Sequence, residues 1–168
     1  ALALKPSAIE AQRELGALLL SLEKLDAAAR SLRKVVQKRP EDATAEHLLA
    51  AAEQTLPAHA PQAYVAELFD DYAPRFDTHL VGKLAYRAPW QVRSIFGRVS
   101  GKETAAWTIM DIGCGTGLCG PLFRDLAKRL IGVDLSEKML AKADELAVYD
   151  DLRLEDATAA LNGEIGNL

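Results

Sequence analysis

Apolar positions recur at helical spacing through the first third of the chain and give way to short unbroken runs in the last third. Leu15, Leu18, Leu19 and Leu22 fall at i, i+3, i+4 and i+7, which predicts a helix with one apolar stripe. Leu25, Ala28, Leu32, Val35 and Val36 predict a second helix, which Pro40 stops. The small residues Gly16 and Ala28 would let these two helices approach closely. Pro57-Ala58-His59-Ala60-Pro61 has two prolines in five residues and no apolar period, so residues 57–61 read as a linker after a helical segment of residues 1–56. Residues 62–100 predict short helices broken by Pro74, Gly82 and Pro89. They carry Tyr64, Phe69, Tyr72, Phe76, Tyr86, Trp90 and Phe96. Most of these rings are expected in the core, although such a segment ahead of a ligand-binding domain can also form a lid.

After Ser100-Gly101 the texture changes. Trp107-Thr108-Ile109-Met110 ends at Asp111 and leads into a glycine-rich turn, then a helical pattern from Pro121 to Lys128. Leu130-Ile131-Gly132-Val133 ends at Asp134, and Ser136 is placed to cap the next helix, with Glu137 in its first turn. Leu152-Arg153-Leu154 ends at Glu155-Asp156. Strand, helix, strand, helix, strand in this order predicts parallel strands joined by crossovers, an α/β sheet over residues 101–168.

Pro6 and Pro40 stand 34 residues apart, and the segment between them resembles a tetratricopeptide (TPR) repeat. Leu15-Gly16 occupies the Leu-Gly position, Leu19 a large-residue position and Ala28 the small crossing position, while Gln12 stands where an apolar residue is usual. Leu49-Ala50 would open the next repeat's first helix, and Ala1 to Pro6 would be the tail of an earlier one, so the chain is expected to begin partway through an array. A generic helical hairpin is the alternative. Arg30, Arg33, Lys34, Lys38 and Arg39 read either as a docking patch for a protein or peptide partner or as a solvated helix face. Residues 1–56 hold eight basic and eight acidic side chains, which favours the solvated face.

The 168 residues are 49% hydrophobic and 26% charged with a net charge of −4, which excludes disorder and disfavours a nucleic-acid surface. No apolar run approaches the roughly 20 residues of a membrane span. Two cysteines and no secretory leader suggest a reducing, cytoplasmic setting. His47 and His59 fall in the helical segment and linker, and no Cys/His spacing suggests a metal site.

The chemistry concentrates in Asp111-Ile112-Gly113-Cys114-Gly115-Thr116-Gly117. Alternate glycines between a strand and a helix let the backbone turn tightly and bring N–H groups against a ligand. Asp134 follows Gly115 by 19 residues, where a carboxylate can accept both hydroxyls of a ribose. Gly115-Thr116-Gly117-Leu118-Cys119-Gly120 also satisfies the dinucleotide pattern, so a nicotinamide-dependent oxidoreductase stays open. Asp111 speaks against it, because a carboxylate before the first glycine suits a cationic aminoacyl group and opposes a diphosphate. A non-catalytic interaction protein is a third reading.

Asp111 to Ala143, with Gly132-Val133-Asp134-Leu135-Ser136 and Met139-Leu140, resembles the class I S-adenosylmethionine-dependent methyltransferases. The whole chain is similar to members of that family with amino-terminal TPR repeats. The resemblance implies a Rossmann-like sheet and methyl transfer from S-adenosylmethionine to an unidentified acceptor, leaving S-adenosylhomocysteine. It implies that Gly113, Cys114, Gly115 and Gly117 cradle the cofactor and that Asp111 holds the loop and the amino group. Asp134 would bind the ribose, Leu135 would pack on adenine, and Asp156 with Ala157 would meet the adenine amino group. Leu68-Phe69-Asp70-Asp71-Tyr72-Ala73-Pro74-Arg75-Phe76-Asp77 resembles the family's pre-domain helix, with Tyr72 and Phe76 closing over the cofactor. His79 is a candidate base or an ordinary packing residue, and Cys114 and Cys119 are expected to be small, partly buried thiols. The family's complete sheet has more strands than this sequence supplies, so the C-terminal part of the domain is expected to be cut short, the first strand's edge unpaired and the catalytic residues unassigned.

Overall fold

The computed structural model describes residues 6–99, 105 and 107–165. The expected repeat tail before Pro6, the change of texture at Ser100-Gly101 and residues 166–168 lie outside the described residues. The chain divides into two compact units, Ala1–Glu67 and Leu68–Leu168. Among the described residues no helix is long and apolar enough to cross a membrane.

The first unit is helical. Helices α1 (Pro6–Ser21) and α2 (Leu25–Lys38) form the expected hairpin, followed by α3 (Ala43–Ala52). The chain leaves α1 through Glu23 in the left-handed region (φ 58°). There the N–H groups of Glu23 and Lys24 return to the carbonyls of Leu20 and Leu19, satisfying the helix's last acceptors. Ala28, Leu32 and Val35 are buried on α2, as their spacing predicts. Gly16 gives the close approach, because a Cβ there would stand 2.6 Å from Leu32 Cγ. The α1 stripe is different from expectation. Leu15, Leu18 and Leu22 are 45–57% exposed, while Leu19 and Leu20 pack against Ala28, Ala29, Leu32 and Ala52. Gln12 explains the rotation, since its amide donates to Ser31 Oγ at 2.6 Å and Ser31 donates back to the Gln12 carbonyl at 3.0 Å. That exchange points the Gln12–Gly16 side of α1 at α2, and the Leu15–Leu18 side is left to solvent. Helix α3 starts at Ala43, earlier than Leu49, because Asp42 caps it by accepting from the Ala45 N–H at 2.8 Å.

Helix α4 (Gln62–Tyr72) follows an exposed stretch without helix or strand that includes residues 57–61. Its first half belongs to the helical unit: Glu67 accepts from the Thr44 hydroxyl at 2.7 Å, and Tyr64 stacks on His47 at 3.9 Å.

The second unit is α/β. A 3-10 turn (Ala73–Arg75), a π-helical turn (Thr78–Lys83) and α5 (Ala88–Val99) precede the sheet. Pro74 lies in the first turn of the 3-10 segment, and Pro89 near the start of α5, where a missing N–H costs nothing. Gly82 sits inside the π-helical turn and does not break it. Strands β1 (Trp107–Ile112), β2 (Ala127–Asp134) and β3 (Asp151–Leu154) run parallel in the order β1-β2-β3, and among the described residues β1 pairs only with β2. Between them lie α6 (Gly120–Phe123), α7 (Glu137–Glu145) and, after β3, α8 (Ala157–Ile165).

The central strand β2 is the most apolar, as a strand covered on both faces should be: Leu130, Ile131 and Val133 are essentially inaccessible. Helix α6 is a single turn rather than the expected Pro121–Lys128 helix. Leu126 and Ala127 are buried at the start of the strand, and the Arg124 guanidinium bonds the Ala127 carbonyl at 2.6 Å and turns the chain there. Ser136 caps α7 as expected, accepting from the Met139 N–H at 3.1 Å.

The aromatic segment contributes less core than base rates suggest. Phe69, Tyr86 and Trp90 remain over a third exposed. From α5, Phe96 meets Trp107 of β1 and Phe123 of α6 edge-on, at 6.0 and 5.9 Å.

Candidate cofactor-binding site

The site lies beyond the carboxyl end of β1, where parallel strands leave a crevice. Gly113, Gly115 and Gly117 have φ of 70°, 54° and 87°, backbone that a side chain rarely tolerates. The N–H groups of Gly113 and Cys114 both return to the Val133 carbonyl, at 2.8 and 3.0 Å, and tie the turn to the end of β2. The glycines differ in what they face. A Cβ on Gly117 would stand 2.9 Å from Leu146 and 3.1 Å from Tyr149, so this glycine admits packing. A Cβ on Gly113 would meet nothing within 4 Å, and one on Gly115 only the rim of Phe76, at 3.9 Å.

That open side is a cavity of about 100 Å³, bounded by Phe76, Leu80, Tyr86, Asp111, Gly113 and Gly115, with Cys114 and Cys119 also in its wall. Asp111 and Cys119 also line an adjoining, more apolar cavity of about 230 Å³ with Val92, Phe96, Ile109 and Met110.

Two carboxylates organise the turn. Asp134, at the end of β2, accepts from the Gly115 N–H through Oδ2 and from the Ser136 N–H through Oδ1, both at 2.9 Å. Asp111 Oδ2 accepts from the Tyr149 hydroxyl at 2.7 Å. Burial pushes the Asp111 carboxyl above its ordinary range; the Tyr149 hydrogen bond opposes that and the Asp134 charge adds to it. Burial, then Asp111, raises the Tyr149 phenol, which stays a donor at neutral pH.

Of the residues singled out in the sequence, Asp111, Gly113, Cys114, Gly115 and Phe76 come together at the cavity, and Asp134 joins them through Gly115. Tyr72 stands behind Phe76, edge-on at 5.2 Å, with its hydroxyl hydrogen-bonded to His79 Nδ1 and Arg75 over its ring. His79 therefore has one ring nitrogen engaged by Tyr72. Leu135, half-buried after β2, is not in the cavity wall. Asp156 caps α8, its Oδ1 accepting from Thr158 and Ala159 N–H groups at 2.9 and 3.2 Å, and Ala157 is exposed beside it.

Three residues not singled out prove important. Asp70 Oδ1 accepts from the fully buried Ser136 hydroxyl at 2.5 Å and from the Lys138 N–H at 3.1 Å. Asp77 Oδ1 accepts from the buried Thr116 hydroxyl at 2.5 Å. Residues 70–77, which carry Tyr72 and Phe76, are thus pinned at both ends, once at the start of α7 and once in the glycine turn. The seven-residue spacing of Asp70 and Asp77, two helical turns, was the available signal. Tyr149, 38 residues from Asp111, had none.

Residues 109–163 match the model of a methyltransferase domain family. The match runs from the middle of β1 through the glycine turn, Asp134 and β3 into α8. No curated protein and no solved structure matches the chain.

Proposed function

We propose that this protein is a class I, Rossmann-like methyltransferase that binds S-adenosylmethionine against the glycine turn and passes its methyl group to a nucleophilic acceptor. The observation that carries the reading is the turn itself. Gly113 and Gly115 are left-handed, their side-chain positions open into a cavity, and one wall of that cavity is the Asp111 carboxylate.

The residues present suit such a cofactor. The backbone of the turn would lie against such a ligand at close range, which a Cβ at residue 113 or 115 would obstruct. Asp134 already holds the turn through Gly115 and retains acceptor capacity for ribose hydroxyls, since each oxygen carries one protein hydrogen bond. Asp111 offers a negative charge to the ammonium of the aminoacyl group. When bound, S-adenosylmethionine supplies a methyl group made electrophilic by its sulfonium and open to in-line displacement. The chain's own task is then alignment and exclusion of water, for which Phe76, Leu80 and Tyr86 furnish apolar wall. A dinucleotide fits less well, because its diphosphate would be set against Asp111, a repulsion strengthened where water is excluded. The TPR-like reading of residues 1–56 is part of the proposal, supported by the Gly16–Leu32 approach and the buried Ala28.

Calorimetry on the full chain tests it. S-adenosylhomocysteine should bind in the micromolar range, and Asp134→Ala should weaken it roughly tenfold or more, as loss of hydrogen bonds to a charged group does. The reduced nicotinamide dinucleotide should not bind. Equal affinity in Asp134→Ala, or binding of the dinucleotide in place of the adenosyl ligand, would overturn the reading. So would binding of neither.

A further inference from the structure

Tyr149 lies in the loop between α7 and β3, outside the residues that line the cavity under Phe76. Its surroundings fix it on every side. Arg124 donates to the Val148 carbonyl at 3.0 Å and to Asp150 at 2.7 Å, and the Asp150 N–H reaches the Leu130 carbonyl at 2.8 Å. The residues on both flanks of Tyr149 are therefore held, Val148 by Arg124 and Asp150 by Arg124 and by Leu130 of β2. The ring fills the space that Cβ atoms on Gly117, Gly120 and Gly132 would need, at 3.1, 2.8 and 3.1 Å. Three glycines thus make room for one ring, and the ring delivers its hydroxyl to Asp111 Oδ2. Among the described residues Asp111 Oδ1 takes no hydrogen bond, and Asp111 is in the cavity wall.

We propose that Tyr149 is a positioning residue for the charged, aminoacyl end of the cofactor: by occupying Oδ2 it fixes the Asp111 carboxylate and leaves Oδ1 to a ligand ammonium. This rests on the methyltransferase reading and adds to it the division of labour between a nucleoside end and an ammonium end. The groups that act on Asp111 are few. Asp134 at the end of β2 repels it, Tyr149 stabilises its ionised form, and Cys114 and Cys119 beside it carry no charge, their thiols pushed up to about 12 and about 11 chiefly by burial. Loss of the Tyr149 hydroxyl therefore lets burial raise the Asp111 carboxyl further. Binding of an ammonium ligand, full while Asp111 is ionised, then begins to fail at a higher pH as the solution is acidified.

The test is calorimetry on the full chain with two probes, S-adenosylhomocysteine and 5′-methylthioadenosine, which lacks the aminoacyl group. Tyr149→Phe keeps the ring and removes the hydroxyl. It should weaken S-adenosylhomocysteine about tenfold at neutral pH, a loss suited to one hydrogen bond on a charged acceptor. It should leave 5′-methylthioadenosine within about twofold and move the acid limb of the first ligand's affinity to higher pH. Asp111→Asn should show the same selectivity, and the double variant should be no worse than Asp111→Asn. Equal weakening of both probes would make Tyr149 a merely structural residue and overturn the inference, as would no weakening of either. If Tyr149→Phe is misfolded by circular dichroism, Asp111→Asn decides: an unselective effect there overturns it too. Wild-type protein that binds neither probe defeats the methyltransferase reading, and the inference with it. Wild-type protein that binds both while Tyr149→Phe is indistinguishable from it defeats the inference alone.

Discussion

Cys114 lies within the glycine turn and Cys119 just after it, one buried and one half-buried, and their environment sets their chemistry. Burial, then the Asp111 charge, pushes Cys114 up to about 12 and Cys119 up to about 11. Both are therefore protonated near neutral pH, and a protonated thiol is a poor nucleophile. Iodoacetamide at pH 8, followed by mass spectrometry, should modify each roughly tenfold or more slowly than a free cysteine; modification of either at the free rate would show that the turn does not bury them as described. The turn was legible at this scale because its signal is local: alternate glycines and an acid within a few residues announce themselves. Tyr149 was not. Its role depends on a hydroxyl reaching Asp111 across the sheet, and on glycines at 117, 120 and 132 whose shared purpose is visible only once they surround one ring.

Among the elements, the stretch from Asp70 to Asp77 does the most to shape the site. Its two terminal carboxylates each accept from a buried hydroxyl, Ser136 at one end and Thr116 at the other. Leaving such a hydroxyl without its partner costs on the order of 1–3 kcal/mol. Asp77→Ala should release the end of the strap that carries Phe76, weaken S-adenosylhomocysteine about fivefold, and speed tryptic cleavage after Arg75 in the folded protein. Unchanged affinity and unchanged cleavage would mean that Phe76 is held by other contacts. Here the sequence showed the aromatics and hid the anchors, since an exposed Asp ordinarily reads as solubility. Helical periodicity was similarly half informative. It placed the buried face of α2 correctly, whereas on α1 the Gln12–Ser31 exchange outweighed the leucine stripe. It overextended α6, where Arg124 ends the helix by bonding backbone that already belongs to β2.

For the whole molecule, the alternation of apolar runs with helical patterns was enough to predict a helical segment followed by a parallel α/β sheet. Both units show these elements. The sequence could not show where one compact unit ends, because the division between Glu67 and Leu68 falls inside α4 and follows from contacts at Thr44 and His47 rather than from composition. Net charge carries a coarser message. The helical segment balances its charges, so the overall −4 falls on the remainder, which holds the site and its carboxylates. That distribution suits a cationic ligand better than a phosphorylated one. In the proposed function, the backbone bend at residues 113–117 and the acid at the end of β2 together grip a sulfur-bearing nucleoside. A crystal structure of the full chain with S-adenosylhomocysteine tests it most directly. Both ribose hydroxyls should lie within hydrogen-bond distance of Asp134, with the aminoacyl group beside Asp111, beneath Phe76. A sugar placed away from Asp134, or a ligand seated elsewhere with the bend closed on itself, would contradict it.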